Sequence, residues 1–312
     1  MVAFAEVSFE LSENFIIASE QTMNDTMVPQ PTDRYIESRG LKLHYADWGD
    51  PAAETLLLVH GNRDQCRSWD FFVAELLKRN PSLHIAALDL CGHGESAWNA
   101  PTQGYRHEDY LFDLCAAFQS VGKKRIDVIG HSLGGSMALL FAGCFPDRVK
   151  HLVLVESIGP YAKKDEEVPE ILAEHVEGKE LDQERTTHAT LDEAAQAIKK
   201  RFPSIPDDVC AYMASYGTSR TASGFVWKHD PRLRLHSLAT LSEGQIRAFI
   251  RRVTCPTLII YGSASGFAKS SRAARLSLFS GEKVEIPGAG HHIPHERPVE
   301  LAKKVSSFLF AE

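Results

Sequence analysis

Residues 125–146, RIDVIGHSLGGSMALLFAGCFP, decide the fold. A short run built on Ile126, Val128 and Ile129 enters Gly130-His131-Ser132-Leu133-Gly134, and GGSMALLFAGCFP leaves it as a helix. Strand, G-x-S-x-G turn and helix in direct succession make a nucleophile elbow, with the Ser132 hydroxyl at its tip. Glycine suits positions 130 and 134 because a Cβ at so sharp a turn would meet neighbouring backbone. The helix N-terminus just after Ser132 favours negative charge.

Outward from the elbow, short apolar runs recur: TLLLVHG (55–61), HIAALDL (84–90), RIDVIGH (125–131), HLVLVES (151–157), PTLIIYG (256–262) and KVEIPG (283–288). They are too short for buried helices and read as strands covered on both faces, which suits a parallel sheet. Helical periodicity fills the intervals. Trp69, Phe72, Val73, Leu76 and Leu77 share one face, Tyr110, Leu114, Phe118 and Val121 another, and Leu301, Ala302, Val305, Phe308 and Leu309 a third. Alternating strands and helices predict right-handed βαβ units in a doubly wound sheet. Ahead of them, RYIESRG and LKLHYADWGD alternate about Gly40 and read as an antiparallel pair at a sheet edge.

The alternation stops near residue 158 and resumes at Cys255. We read 158–252 as a mainly helical cap inserted after the sixth strand, 32–157 and 253–312 as the α/β core, and 1–31 as an N-terminal extension. Residues 161–200 hold eleven acidic and six basic side chains, with helical stretches at 165–178 and 190–201 and a break at Pro203 and Pro206. Such an acidic run is first of all a solvated helix face.

The chain has 312 residues, 44% of them hydrophobic, and a formal net charge of −7. That balance offers no basic footprint for nucleic acid or an anionic membrane surface. Cys66, Cys91, Cys115, Cys144, Cys210 and Cys255 show neither CxxC nor Cys/His ligand spacing, so they read as free thiols, and no metal or other cofactor is expected. No stretch resembles a secretory apolar segment or a membrane span, so a cytoplasmic monomer or homodimer is the expectation.

A serine needs a base. IPGAGHHIPHERP follows the last apolar run and offers His291, His292 and His295. His291 is the choice, because it follows Gly290 and opens a His-x-x-x-x-Glu-x-Pro spacing closed by Glu296 and Pro298.

With these residues in order, the chain resembles the α/β-hydrolase superfamily over 34–312: His60-Gly61 as oxyanion loop, the D-x-x-G-x-G-x-S turn at 89–96, the elbow and the late histidine. RTASGFVWKHDPRL (220–233) with ESIGP (156–160) is similar to the serine hydrolase-like proteins within it. The resemblance implies an α/β-hydrolase fold and an oxyanion hole formed by the backbone N–H groups of Asn62 and Leu133. It also implies a triad Asp three residues beyond the glycine of PTLIIYG. This chain has Ser265 there, and Gly262–Lys269 contains no carboxylate. Glu156, at the tip of HLVLVES and 24 residues past Ser132, is the replacement we expect, since an unpaired carboxylate at a buried strand end is costly. Asp64, Asp230 and Glu296 are weaker candidates.

The expected activity is hydrolysis of small to medium acyl esters by a Ser132–His291–Glu156 triad through an acyl-enzyme. The alternatives are a lactone, amide or carbon–carbon bond hydrolase, or a ligand-binding pseudoenzyme. His131, Ile158, Tyr161, Phe225 and Trp227 are the expected pocket walls.

Overall fold

The computed structural model describes residues 28–100, 103–176, 185–234, 241–267 and 271–310. The expected extension falls outside them except for its last four residues, where the Pro29 carbonyl accepts the Trp48 indole N–H at 2.8 Å.

In chain order, β1 (Thr32–Ser38) and β2 (Leu41–Trp48) form a hairpin whose two-residue turn, Arg39-Gly40, has φ of 53° and 78°. Two left-handed residues give the turn that matches strand twist. The chain continues through β3 (Thr55–Val59), α1 (Asp70–Arg79), β4 (His84–Leu88), α2 (His107–Ser120), β5 (Ile126–His131), α3 (Leu133–Cys144) and β6 (Val149–Val155). An insertion follows. It holds α4 (Val168–Val176), β7 (Thr187–His188), α5 (Leu191–Arg201), α6 (Asp207–Gly217), β8 (Thr218–Thr221), β9 (Gly224–Trp227) and α7 (Glu243–Arg252). The chain then returns with β10 (Thr257–Gly262), β11 (Glu282–Ile286), α8 (Ile293–Glu296) and α9 (Pro298–Leu309).

The main sheet has eight strands in the order β1-β2-β4-β3-β5-β6-β10-β11. It is antiparallel at β1/β2 and β2/β4 and parallel from β4 to β11. One apolar layer packs Leu114, Phe118, Met137, Phe141 and Ile246 on one face, and the other packs Trp69, Phe72, Leu76, Leu301 and Val305 on the opposite face. Burial on both faces is why β3, β4 and β5 read as continuous apolar runs. From β3 the chain steps to β4 on one side, then crosses back to β5 on the other. The loops after β3 and β5 therefore meet at a topological switch point, where α/β sheets place their ligands.

The insertion is not helical throughout. β7, β9 and β8 form a small antiparallel sheet. Its strands have two to four residues, most of them exposed or half-buried, so they carry no buried alternation for a sequence reading to find. Helix α5 starts at the expected place because the Thr190 hydroxyl caps the Glu193 N–H at 3.1 Å. Arg232 ties this segment to the loop after β4, donating to the carbonyls of Asn99, Ala100 and Gln103 at 2.8, 2.6 and 2.7 Å. Across the other edge, Tyr212 on α6 donates to Asp70 on α1. Among the described residues no helix is long and apolar enough to cross a membrane.

The edge of the sheet contains a pH-sensitive anchor. The His44 imidazole is buried between Asp89 (2.8 Å) and Asp33 (3.0 Å). Burial pulls its pKa down, but the hydrogen bonds and charges of Asp89 and Asp33 outweigh that and hold it above the ordinary histidine value. A raised folded pKa means the stabilisation is complete below the unfolded value of roughly 6.5 and fades as pH climbs through the folded one. The Tm advantage of wild type over His44→Gln is therefore expected to shrink as pH rises above roughly 6.5 in scanning calorimetry. A gap that stays constant over that range would refute the assignment.

Candidate active site

The elbow geometry follows from its glycines. A Cβ on Gly130 would lie 2.4 Å from the Gly134 carbonyl carbon, and one on Gly134 2.2 Å from the Val59 carbonyl oxygen. Both obstacles are backbone and cannot swing away. Gly134→Ala is expected to cost about 3 kcal/mol, at the severe end of overpacking, and to lower the Tm by several degrees in a circular-dichroism melt. A melt within about 1 °C of wild type would mean the elbow tolerates the extra carbon.

This packing forces Ser132 to φ 52° and ψ −110°, a strained conformation that lifts its side chain off the sheet edge. The Oγ stands 3.0 Å from His291 Nε2. On the far side of the ring, Nδ1 lies 3.1 Å from Glu156 Oε2. His291 sits between β11 and α8 in a loop held from two directions. Glu296 accepts the Gly290 N–H at 2.6 Å and the His292 N–H at 3.1 Å, gripping the amides on either side of His291. His131 donates from Nε2 to the His291 carbonyl at 2.8 Å. Burial, then the neighbouring His291, pushes the pKa of His131 well below the usual histidine range, so it is a neutral donor.

Glu156 is 1% exposed and, like Ser132, has a left-handed φ, 55°. Its Oε1 accepts the Gly262 N–H and the Ser265 hydroxyl, both at 2.7 Å, leaving Oε2 for the imidazole. Ser265, which the sequence marks only as a vacant acid position, thus donates to the carboxylate that faces His291. The other acids are engaged elsewhere. Asp64 takes the Gln65 N–H at 3.0 Å and the Ser68 hydroxyl, Asp230 takes the Tyr105 hydroxyl at 2.7 Å and Arg232, and Glu296 shapes the histidine loop.

The oxyanion loop lies against the elbow. Gly134 N–H donates to the His60 carbonyl at 3.0 Å, and a Cβ on Gly61 would reach within 3.5 Å of Ser132 Cβ. Leu133 is the first residue of α3, so its N–H has no intrahelical acceptor. Asn62 follows Gly61 at the same strand edge.

A cavity of about 280 Å³ adjoins the site, with Asn62, Arg63, Gln65, Arg201, Trp227 and His292 on its wall. It meets the array through Asn62 and His292, while Ser132 and His291 lie outside its lining. Of the expected pocket residues, Trp227 lines it. The others do not, for separate reasons. His131 is buried beneath the histidine loop, Ile158 is wholly enclosed in the core, Tyr161 is 63% exposed to solvent, and Phe225 lies in the β9 strand away from the wall. His292 packs on Phe202 with ring centroids 4.1 Å apart. Burial, then the charges of His295, His291 and Arg201, lowers the His292 pKa to about 2, so it stays neutral.

His44, Cys66 and Asp89 bring one potential ligand atom each within 4.8 Å of one another. Their bonding is internal: Asp89 already accepts from His44 at 2.8 Å, the Cys66 N–H at 2.6 Å and the Glu95 N–H at 2.9 Å. This closes the 89–96 turn. All six cysteines are unpaired.

Comparison with known proteins agrees with this architecture. Residues 56–304 match the model of the "Alpha/beta hydrolase family". The chain is 24% identical over 283 residues to Serine hydrolase-like protein 2 of Homo sapiens, covering 84% of this chain and 88% of that one. It is 29% identical over 279 residues to a putative 2-succinyl-6-hydroxy-2,4-cyclohexadiene-1-carboxylate synthase of Bacillus subtilis, covering 87% and 96%. The solved structure of the hypothetical protein PA1622 from Pseudomonas aeruginosa superposes with a TM-score of 0.82 at 26% identity, covering 90% of this chain and 99% of that one.

Proposed function

The chain belongs to the alpha/beta hydrolase family, and we propose that within it this protein is a carboxylesterase acting on small to medium acyl esters. One observation carries the reading: Ser132 Oγ, His291 and Glu156 stand in a continuous hydrogen-bonded line, 3.0 and 3.1 Å per link. In the mechanism, His291 Nε2 takes the Ser132 proton as Oγ bonds to the carbonyl carbon. Glu156 fixes the imidazole with Nδ1 protonated and stabilises its cation. The N–H groups of Asn62 and Leu133 hold the oxyanion, the usual major contribution to lowering such a barrier. Collapse breaks the ester C–O bond, and His291 gives its proton to the leaving alcohol. Water then attacks the acyl-enzyme, losing its proton to His291, and the acid departs as Ser132 recovers its hydrogen.

A cavity of about 280 Å³ is at the small end of ligand pockets, which supports small acyl groups over long chains. The pseudoenzyme alternative needs a disconnected histidine, and the Glu156–His291 contact weighs against it. One fact favours a second reading, chemistry at another bond: the Bacillus subtilis relative is named a synthase. The test is hydrolysis of 4-nitrophenyl acetate, butyrate and octanoate with fluorophosphonate labelling. Turnover of the shorter esters with one labelled serine supports the esterase. Labelling without turnover of any ester moves the activity to the second reading.

A further inference from the structure

The cavity beside Asn62 has an electrostatic character at odds with the rest of the chain. The protein carries 41 acidic and 34 basic residues, yet this wall presents Arg63, Arg201 and Lys228 against the single carboxylate of Asp64. Much of that charge is already engaged. Lys228 pairs with Glu95 at 2.5 Å, and Asp64 is held by Gln65 and Ser68. Arg201 is different: among the described residues it pairs with no carboxylate, its guanidinium lying 5.3 Å from the ring of its own neighbour Phe202.

Two imidazoles of the same wall each keep one ring nitrogen enclosed by protein. His188 Nε2 and His292 Nδ1 are both buried without a hydrogen bond. The Arg201 guanidinium, exposed on the wall of a small cavity and without a carboxylate partner among the described residues, offers a fork of donors to an oxygen group carrying negative charge. The cavity abuts the oxyanion loop, so a molecule filling it can present its carbonyl to Ser132.

We propose that this cavity selects substrates bearing an anionic oxygen group, a carboxylate or a phosphate monoester, a few bonds from the scissile carbonyl, with Arg201 as the specificity-determining residue. The proposal rests on the hydrolase reading above and names the class of substrate that reading leaves open. Arg201 acts in recognition and takes no part in bond making. A helix C-terminus places it well, since basic side chains there are stable without a carboxylate partner until a ligand arrives.

The experiment compares monomethyl glutarate with methyl pentanoate, two esters of similar length that differ in charge, by pH-stat hydrolysis. Wild type is expected to favour the charged ester in kcat/KM by about tenfold or more, the effect of one charge-assisted hydrogen bond. Arg201→Gln should lower kcat/KM for monomethyl glutarate by about 10- to 100-fold, mostly through KM, and change methyl pentanoate less than about 2-fold. Arg201→Lys should keep much of the preference, and added salt should weaken it. Inhibition by butanoate against propyl phosphate tells which anion is preferred, provided it depends on Arg201. Equal use of the two esters, or a preference indifferent to Arg201→Gln, overturns the proposal while leaving the esterase intact. If neither ester turns over, calorimetric binding of both to Ser132→Ala, with and without Arg201→Gln, decides it separately. Arg201-dependent binding of the charged ester supports the anion site, and its absence removes it.

Discussion

Ser132→Ala is expected to lower kcat/KM for 4-nitrophenyl butyrate by about 10⁴- to 10⁶-fold and to abolish fluorophosphonate labelling. The side chain lost is small and at the surface of the elbow, with its Oγ bonded only to His291 among the described residues, so the fold should remain. The strained backbone is compatible with alanine to the same degree as with serine. The melting temperature should therefore hold, which separates loss of chemistry from loss of structure. Residual hydrolysis above the uncatalysed rate is expected from the backbone donors of Asn62 and Leu133. A variant retaining more than about one hundredth of the activity would remove Ser132 from the nucleophile role.

The second large effect is at Glu156. Glu156→Gln is expected to reduce kcat/KM by about 10³- to 10⁴-fold, because the amide NH₂ facing His291 favours the imidazole tautomer that cannot accept the serine proton. Its carbonyl oxygen can still accept from Gly262 and Ser265, so the loop keeps its shape. Ser265 gives this prediction a sharper form. Its Oγ is 2.7 Å from Glu156 Oε1, so Ser265→Asp would put a carboxylate at the position where the family resemblance implies the triad Asp. In the Glu156→Gln background it should recover about tenfold or more of the lost rate, through a restored charge beside Nδ1. Alone, it should do harm. Two adjacent carboxylates cannot both ionise cheaply, so the acid limb of the pH–rate profile should move upward. Glu156→Gln with near-normal kinetics would show that the imidazole is oriented by something else.

The core was readable because burial on both sheet faces leaves its mark one residue after another, as in TLLLV at β3 and VKHLVLV at β6. Glu156 was readable for the same reason, as a charged residue at the end of an apolar run. Ser265 was legible only as an omission, since a hydroxyl supporting a carboxylate from another strand leaves no local pattern. The strands of the insertion escaped notice because TSRT and GFVW are short and half-exposed, so no alternation is imposed on them. Arg201 was hidden in another way. A basic residue in the last turn of a helix is what the helix dipole favours, so Lys199-Lys200-Arg201 looks ordinary until the cavity beside it is seen. Aromatic and aliphatic character does not distinguish a pocket from a core, so wall and core residues look alike in the sequence. Ile158 belongs to the core and Trp227 to the pocket.

Ser132 and Glu156 occupy the tips of neighbouring strands, each with a left-handed backbone that L-residues other than glycine rarely adopt. Each is pinned by the strand beyond it, Ser132 N–H to the Val155 carbonyl at 2.9 Å and Glu156 N–H to the Ile260 carbonyl at 2.8 Å. Such conformations cost on the order of 1–3 kcal/mol apiece. Under the proposed mechanism, heat tolerance and catalysis therefore compete at the same two positions. A laboratory lineage bred only to survive heating would drift toward glycine at both, and would lose the Ser132 hydroxyl and the Glu156 carboxylate together while becoming sturdier.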